Sequence, residues 1–554
     1  KIMSKDKSNK IIINKLNSDL SDFSQKKFDI NLNRVAFIFL VILIFIILYS
    51  TRVVYLSSKT LQTNSYKIGR INRADITDRN GNFISKSVFT SNIGIDPKLV
   101  RDKKKLLLKL KYTFPERDFV EIEKKINGKK FFYVEKKMIP ERYHQVKLLG
   151  EKSIRMERKI TRIYPDKNLF SHVVGQIDDD NNGISGLEMS FNDQLKKNIN
   201  PLKLTIDTDL QYLIREELIK SEEIFQNIGS AAILMNINSG EVLSLISLPD
   251  FNLNKRQTIK DLNYTNKVTK GVYELGSVFK TLTLASAFQH KILEPNTMFE
   301  KLEKKIYCAG NPISEYDEKL PTDLSAEQIL IRSSNIGSVR IAQKVGIDNY
   351  KSFLEKIGVI DKIQFDIDEV GQPLNFRWGK CKLATTSFGH GITTTPLQLA
   401  KAYSIISNGG YDIKPSLIKS GESKIRTQIL NENVSKNINN ILRKVVSSKE
   451  GTAHFADVYG YEVGGKTGTA DKVKNGIYTK DKINTFVSVF PISNPKFVLL
   501  VLLDEPKPSK EYIYHYRDER TPYKGNWRNT AGWTTVLIVG NIIEKIGPIL
   551  ATKY

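Results

Sequence analysis

Tyr273-Glu274-Leu275-Gly276-Ser277-Val278-Phe279-Lys280 runs straight into Thr281-Leu282-Thr283-Leu284-Ala285-Ser286-Ala287-Phe288. Gly276 breaks the chain just before a strongly apolar helix. Ser277 is therefore expected in the first helical turn, where unpaired backbone N–H groups and the helix dipole favour developing negative charge. Lys280 follows three residues on, so hydroxyl and amine share one helix face. An amine desolvated among apolar side chains can lose its proton and activate the serine. The spacing alone is common, recurring at Ser4, Ser24, Ser416 and Ser493, where an N-cap serine beside a solvated lysine explains it. Of these serines only Ser277 has a glycine before it and an apolar helix after it.

Further along the chain, Ser333-Ser334-Asn335 lies between a helix announced by the Ser325/Gln328 capping box and a helical run from Ile336 to Val345. A loop pinned between helices can hold a hydroxyl and an amide rigidly. Ser-x-Asn also occurs at Ser190 and Ser435. A third motif is Gly464-Gly465-Lys466-Thr467-Gly468-Thr469: glycines that admit a substrate to the backbone, a cation, and two hydroxyls able to bind a carboxylate. Three weak signals in this order make a strong one. Gly460 to Thr467 also satisfies the phosphate-loop pattern Gly-x4-Gly-Lys-Thr, but Asp457-Val458-Tyr459 before it and Gly468-Thr469-Ala470-Asp471 after it are not the buried strand and helix start that such a loop needs.

Around these motifs the domain has strands at both ends. Leu204 to Asp207 lead into an apolar-periodic helix through Leu210, Leu213, Ile214 and Leu218, and the runs 231–237 and 242–248 flank a hairpin turn at Asn238-Ser239-Gly240. Runs 485–490 and 497–503 repeat the pattern. This predicts an α+β domain, a sheet with helices packed on it, over 204–554. Residues 57–203 are lysine-rich and irregular, and read as a spacer with short strands and few long helices.

Val35 to Tyr49 is apolar and uncharged, and Val53 to Leu56 extend it past Arg52. At 1.5 Å per residue 35–56 spans about 33 Å, enough for a hydrocarbon core of about 30 Å. Lys5, Lys7, Lys10, Lys15, Lys26, Lys27 and Arg34 in the tail 1–34 place the N-terminus in the cytoplasm by the positive-inside rule, with the remainder of the chain beyond one membrane anchor.

The 554 residues suggest three or four units, and 40% hydrophobic with 26% charged residues exclude wholesale disorder. The net charge of +25 raises nucleic acid as a partner. It is spread through a chain rich in Lys, Asn and Ile without an aromatic-interleaved stripe, so no nucleic acid is expected. Six scattered histidines and no Cys-x-x-Cys point to no metal and no cofactor. Cys308 and Cys381 can form at most one bridge, and sequence does not set their distance.

These motifs resemble those of the class B penicillin-binding proteins, membrane-anchored D,D-transpeptidases. Arg73-Ala74-Asp75-Ile76-Thr77-Asp78-Arg79-Asn80-Gly81 looks like the family's first pedestal motif, with alanine at 74 where glycine is more usual. Arg162-Ile163-Tyr164-Pro165 with His172 and Gly175, then Gly183 to Glu188, look like the next two, and Phe388 to Gln398 is similar to the segment closing the cleft. The order around His172 to Glu188 and Thr530-Ala531-Gly532-Trp533 most resembles the division-specific FtsI type; the elongation-specific type is the alternative, and a β-lactam sensor or scaffold keeping the fold is a second class of function.

The resemblance implies a transmembrane helix, an elongated pedestal (57–203) and a transpeptidase domain with a central antiparallel sheet. It implies Ser277 as the nucleophile attacking a stem peptide ending in D-alanyl-D-alanine, and Lys280 as its base. Ser333 would relay a proton, Asn335 hold the substrate amide, and Lys466 supply positive field. Thr467, Gly468 and Thr469 would line the substrate, the two hydroxyls gripping its carboxylate, with the oxyanion between the N–H groups of Ser277 and Thr469. It also implies β-lactams as covalent inhibitors, partners in a membrane glycosyltransferase and division proteins, and an inner-membrane protein with a periplasmic catalytic domain. Arg73, Asp78 and Arg79 are expected in ion pairs joining pedestal to catalytic domain, and His390 is as readily a packed loop residue as a functional one.

Overall fold

The computed structural model describes residues 10–11, 30–58, 73–138, 140–255, 262–420, 426–474, 476–507, 509, 511–515, 522 and 528–554. The chain divides into two units, 1–70 and 71–554. In the first, α1 (Leu32–Ser58) is continuous. Its residues Leu32–Tyr55 are apolar and unburied, with Phe37, Phe39, Phe45 and Leu48 each exposing more than half their surface. A helix apolar on every side has the length and composition to cross a membrane. Most of the cationic tail expected at 1–34 lies outside the described residues.

The second unit begins with β1 (Ile76–Thr77) and β2 (Phe83–Ile95), then α2 (Lys103–Thr113), α3 (Phe119–Ile126), β3 (Phe132–Met138), β4 (Ile154–Ile163) and β5 (Leu202–Lys203). The expectation of short strands is corrected here: β2 is 13 residues long and pairs with β4 from Lys86↔Ile163 to Ile95↔Ile154. Its buried positions include Ser85, Ser87, Thr90 and Ser91, so hydrophobicity does not betray the strand. The hydroxyls of Ser85, Ser87 and Thr90 find partners instead, as in the 2.6 Å contact of Thr90 with Thr161. Ile93, Ile95, Leu106, Leu110, Phe114 and Ile126 form a small core of their own. Ala74, Ile76, Ile84, Tyr164, Val174 and Leu187 join the large core of the residues that follow 203.

Among these residues Glu188 is fully buried between two guanidinium groups. Arg73 Nε donates to Oε2, and Arg162 Nε donates to Oε1 at 2.8 Å. Tyr164 and Ser85 hydroxyls complete the shell at 3.3 and 3.2 Å. Arg73 thus binds within the pedestal, which corrects its expected role in joining the two parts; Asp78 and Arg79 do the joining. Asp78 accepts from the Thr208 hydroxyl at 2.7 Å, and Arg79 reaches the Thr205 carbonyl, Glu241 and the Tyr554 ring. Glu188→Ala strands two buried guanidinium groups and is expected to cost about 3–5 kcal/mol. A denaturant midpoint unchanged from wild type would show that the pair carries no such weight.

The remainder contains α4 (Thr208–Phe225), β6 (Gly229–Asn236), β7 (Val242–Leu248), α5 (Phe279–Gln289), β8 (Lys305–Cys308), β9 (Asn311–Ser314), α6 (Asn335–Val345), α7 (Lys380–Thr386), α8 (Pro396–Ser407), α9 (Glu432–Ser447), β10 (Gly464–Lys474), β11 (Ile477–Phe490), β12 (Phe497–Asp504) and α10 (Thr535–Lys553). Asp207 caps α4, accepting from Asp209 N and Leu210 N, and the capping boxes Ser325/Gln328 and Thr395/Gln398 both form. Five described strands make an antiparallel sheet in the order β10-β11-β12-β6-β7. The predicted hairpin β6-β7 therefore lies beside β12, from the far end of the domain, with Leu234 opposite Leu499. Helices α4 and α10 pack on each other and on the sheet, and α8 and α9 also pack on it. α10 is apolar and long enough to cross a membrane, but Val536, Ile538, Val539 and Ile542 are wholly buried in the domain core.

Candidate active site

Ser277 lies just ahead of the α-helix rather than within its first turn: Gly276–Val278 is a 3-10 turn, and α5 starts at Phe279. The turn is pressed against β10. A Cβ on Gly276 would lie 2.6 Å from the Thr469 carbonyl, and one on Gly468 2.2 Å from the Leu275 carbonyl. Gly276 also has φ +63°, so two glycines allow the approach that sets Ser277 beside Thr469. α5 continues through the core, and the Tyr403 hydroxyl holds its start, donating to the Val278 carbonyl at 2.8 Å.

Lys280 is 2% exposed. Its amine is 2.5 Å from the Ser333 carbonyl, 3.1 Å from Ser333 Oγ and 2.7 Å from Asn335 Oδ1. Burial drives its pKa down to about 7, against the opposing pull of the Glu315 carboxylate. The direct Ser277–Lys280 hydrogen bond expected from i, i+3 spacing is not formed; among the described residues the Ser277 hydroxyl has no hydrogen-bond partner, while Lys280 turns to the Ser333 loop. Ser333 is held at φ +59°, an uncommon conformation for serine that presents both carbonyl and hydroxyl to Lys280.

Lys466, fully buried on β10, donates to Ser333 Oγ at 2.9 Å and to Thr467 O and Oγ1 at 3.0 and 3.2 Å. Burial, then the neighbouring Lys280, hold its pKa well below the ordinary lysine value. One serine hydroxyl therefore lies within hydrogen-bond reach of two desolvated amines. Thr467 and Thr469, two apart on one strand, both face the cleft. Thr467 Oγ1 is 2.8 Å from Thr452 Oγ1, and Thr469 Oγ1 accepts from Ala531 N at 3.0 Å.

The three motifs converge on one cleft of about 610 Å³ lined by Ser277, Ser333, Asn335, Thr467 and Thr469. His390 also lines it, beside Phe388. Burial lowers the His390 pKa, so its ring is neutral at pH 7, and its buried Nδ1 has no partner among the described residues. Tyr316, Thr452, His454, Phe455, Lys482 and Arg528 line the cleft too. No spacing in the sequence singles these out, since three different connections and the strand β11 bring them in. The phosphate-loop alternative fails structurally: the segment is strand from Gly464 through Lys474, with no helix start after the lysine. The arrangement suits a serine that is acylated while buried amines and a shared hydroxyl move its proton.

Residues 230–521 match the family model of the penicillin binding protein transpeptidase domain, and 70–200 match that of the penicillin-binding protein dimerisation domain. The chain belongs to the penicillin-binding proteins that join these two domains. It is similar to "Probable peptidoglycan D,D-transpeptidase FtsI" of Caulobacter vibrioides, 29% identical over 87% of this chain and 82% of the relative. Peptidoglycan D,D-transpeptidase FtsI of Buchnera aphidicola subsp. Baizongia pistaciae is 30% identical over 87% and 92%. Among solved structures, penicillin binding protein 3 from Mycobacterium tuberculosis, complexed with aztreonam, shares the fold with a TM-score of 0.65, covering 86% of this chain and 96% of that one at 20% identity.

Proposed function

We propose that the protein is a serine D,D-transpeptidase of the FtsI type that cross-links peptidoglycan stem peptides at the division septum. The observation carrying this is the Ser333 hydroxyl held between Lys280 and Lys466 at the cleft that contains Ser277. Ser277 Oγ attacks the carbonyl between the two terminal D-alanines, and Lys280, whose pKa of about 7 leaves a substantial fraction unprotonated at neutral pH, takes its proton. The amide C–N bond breaks, and the terminal D-alanine leaves with a proton relayed through Ser333. The departing residue's carboxylate suits the Thr467 and Thr469 hydroxyls beside Lys466, and Asn335 orients the substrate amide. An amine of a neighbouring stem peptide then attacks the ester, forming the cross-link and freeing Ser277. The ester conserves the bond's energy, so no nucleotide is spent.

A β-lactam opens its ring on Ser277 without releasing a fragment, so nothing departs to admit the amine. No Glu-x-x-x-Asn arrangement between Asn335 and Lys466 offers a base of the class A lactamase kind to activate water. A penicilloyl adduct on the intact protein is therefore expected to last far longer than a lactamase turnover. Mass spectrometry after a brief penicillin pulse tests this, and an adduct lost within seconds at pH 7 would favour a lactamase.

The helix α1 and the cationic tail before it support an inner-membrane anchor with the catalytic domain in the periplasm, where a membrane glycosyltransferase and division proteins are its partners. Protease added to spheroplasts should leave only a small N-terminal fragment. Protection of the segment containing Lys466 would reverse the orientation.

A further inference from the structure

Glu315 belongs to none of the three motifs, yet it holds one of them. Its Oε1 accepts from the Ser334 hydroxyl at 2.5 Å and from Ile336 N at 3.0 Å, and Oε2 accepts from Asn335 N at 2.7 Å. The residue before it, Ser314, accepts from Asn335 Nδ2 at 2.8 Å. Two consecutive residues thus fix both the backbone and the side chain of Asn335, which leaves Asn335 Oδ1 for the Lys280 amine. The carboxylate also satisfies N–H groups at the start of α6, where an anion is favoured.

The support itself is slight. Glu315 ends the hairpin β8-β9, two four-residue strands whose outer positions Lys305, Tyr307, Asn311 and Pro312 are exposed. Ile313 is its one buried side chain. An isolated two-stranded hairpin is marginal. This one is tied covalently by the Cys308–Cys381 disulfide to α7, the helix that leads into the Phe388–His390 edge of the cleft.

We propose that Glu315 is a positioning residue for acylation, setting Asn335 and through it Lys280, and that the Cys308–Cys381 bridge keeps its hairpin in place. This rests on the reading of Ser277 as nucleophile and Lys280 as base. Glu315 has a second effect that packing alone would not have. Its negative charge opposes the depression of the Lys280 pKa, while the cations that face Lys280 are Lys466 and, when charged, His390; Glu274, Asp471 and Lys482 surround His390. Removing the carboxylate charge stabilises the ammonium of Lys280 less, so the pH at which acylation switches on moves down.

The test is the acylation rate of the full chain in detergent by a fluorescent penicillin, from pH 5 to 9. Glu315→Gln keeps one acceptor oxygen but turns an N–H group toward Asn335 N or its neighbours. It is expected to slow acylation roughly ten- to a hundredfold at pH 8 and to shift the acid limb to lower pH. The double variant Cys308→Ser/Cys381→Ser leaves the charges in place. It should lose roughly three- to tenfold through a smaller competent fraction, with the limb unmoved. If Glu315→Gln does not fold, Glu315→Asp is read instead: it keeps the charge, shortens the reach, and should lose rate without a shift. Wild-type rates in the Glu315 variants, or an unmoved limb in Glu315→Gln, overturn the role of Glu315; a wild-type rate in the double cysteine variant overturns that of the bridge. Ser277→Ala run alongside separates the cases, because persistent labelling there would remove the underlying reading instead.

Discussion

Ser277→Ala is expected to abolish covalent β-lactam labelling while leaving the thermal melt of the full chain in place. The effect should be all or none for the adduct, because no ester can form without the hydroxyl. The fold should tolerate the change, since the Ser277 hydroxyl has no hydrogen-bond partner among the described residues and lies at the cleft rather than in the core. Four other serines share its spacing to a lysine. Among the described residues, only Ser277 combines that spacing with a turn pressed against Thr469 and a lysine enclosed by α5 and the Ser333 loop. Labelling at the wild-type rate in the variant would move the nucleophile elsewhere.

The second large effect concerns Lys280. With its pKa brought down to about 7 by burial, the amine is protonated below that pH and cannot accept the Ser277 proton. Acylation is expected to fall about tenfold per pH unit well below 7, hence about a hundredfold from the plateau to pH 5, and to level off above pH 8. Lys280→Arg, a cation that does not lose its proton, should cost about 10²–10⁴ in rate at pH 8 and leave no acid limb near 7. A wild-type profile flat from pH 5 to 8 would remove Lys280 as the base. The lowered pKa of Lys466, in contact with the same hydroxyl, strengthens the case that this pair is not doubly charged at neutral pH.

Much of this was legible in local patterns. Gly276 ahead of an apolar helix announces the Ser277 turn, the Ser325/Gln328 box marks a helix start that forms as read, and the run from Val35 is a lipid-length helix from its composition alone. Such features depend on residues within one or two turns of each other, where capping, backbone freedom and hydrophobic length act without help from the rest of the chain. The order of the three motifs also carried the family's chemistry, though none of them does so singly.

What local pattern did not carry is set by partners distant in the chain. The long strand β2 buries serines and threonines, so only its pairing with β4 reveals it. Arg73 was read as a link between domains because a lone arginine does not name its acceptor; the buried Glu188, 115 residues on, decides that. The i, i+3 spacing suggested that Lys280 would meet Ser277, whereas Ser333 and Asn335, over 50 residues away, offer the amine three acceptors in a desolvated pocket. Glu315 is likewise invisible as a motif, and the two cysteines name Cys308–Cys381 as the one possible bridge without setting their distance. Propensity and capping act over a turn of helix, but the pKa of a buried amine and the partner of a buried charge depend on what the fold brings within about 4 Å, whatever the separation in sequence.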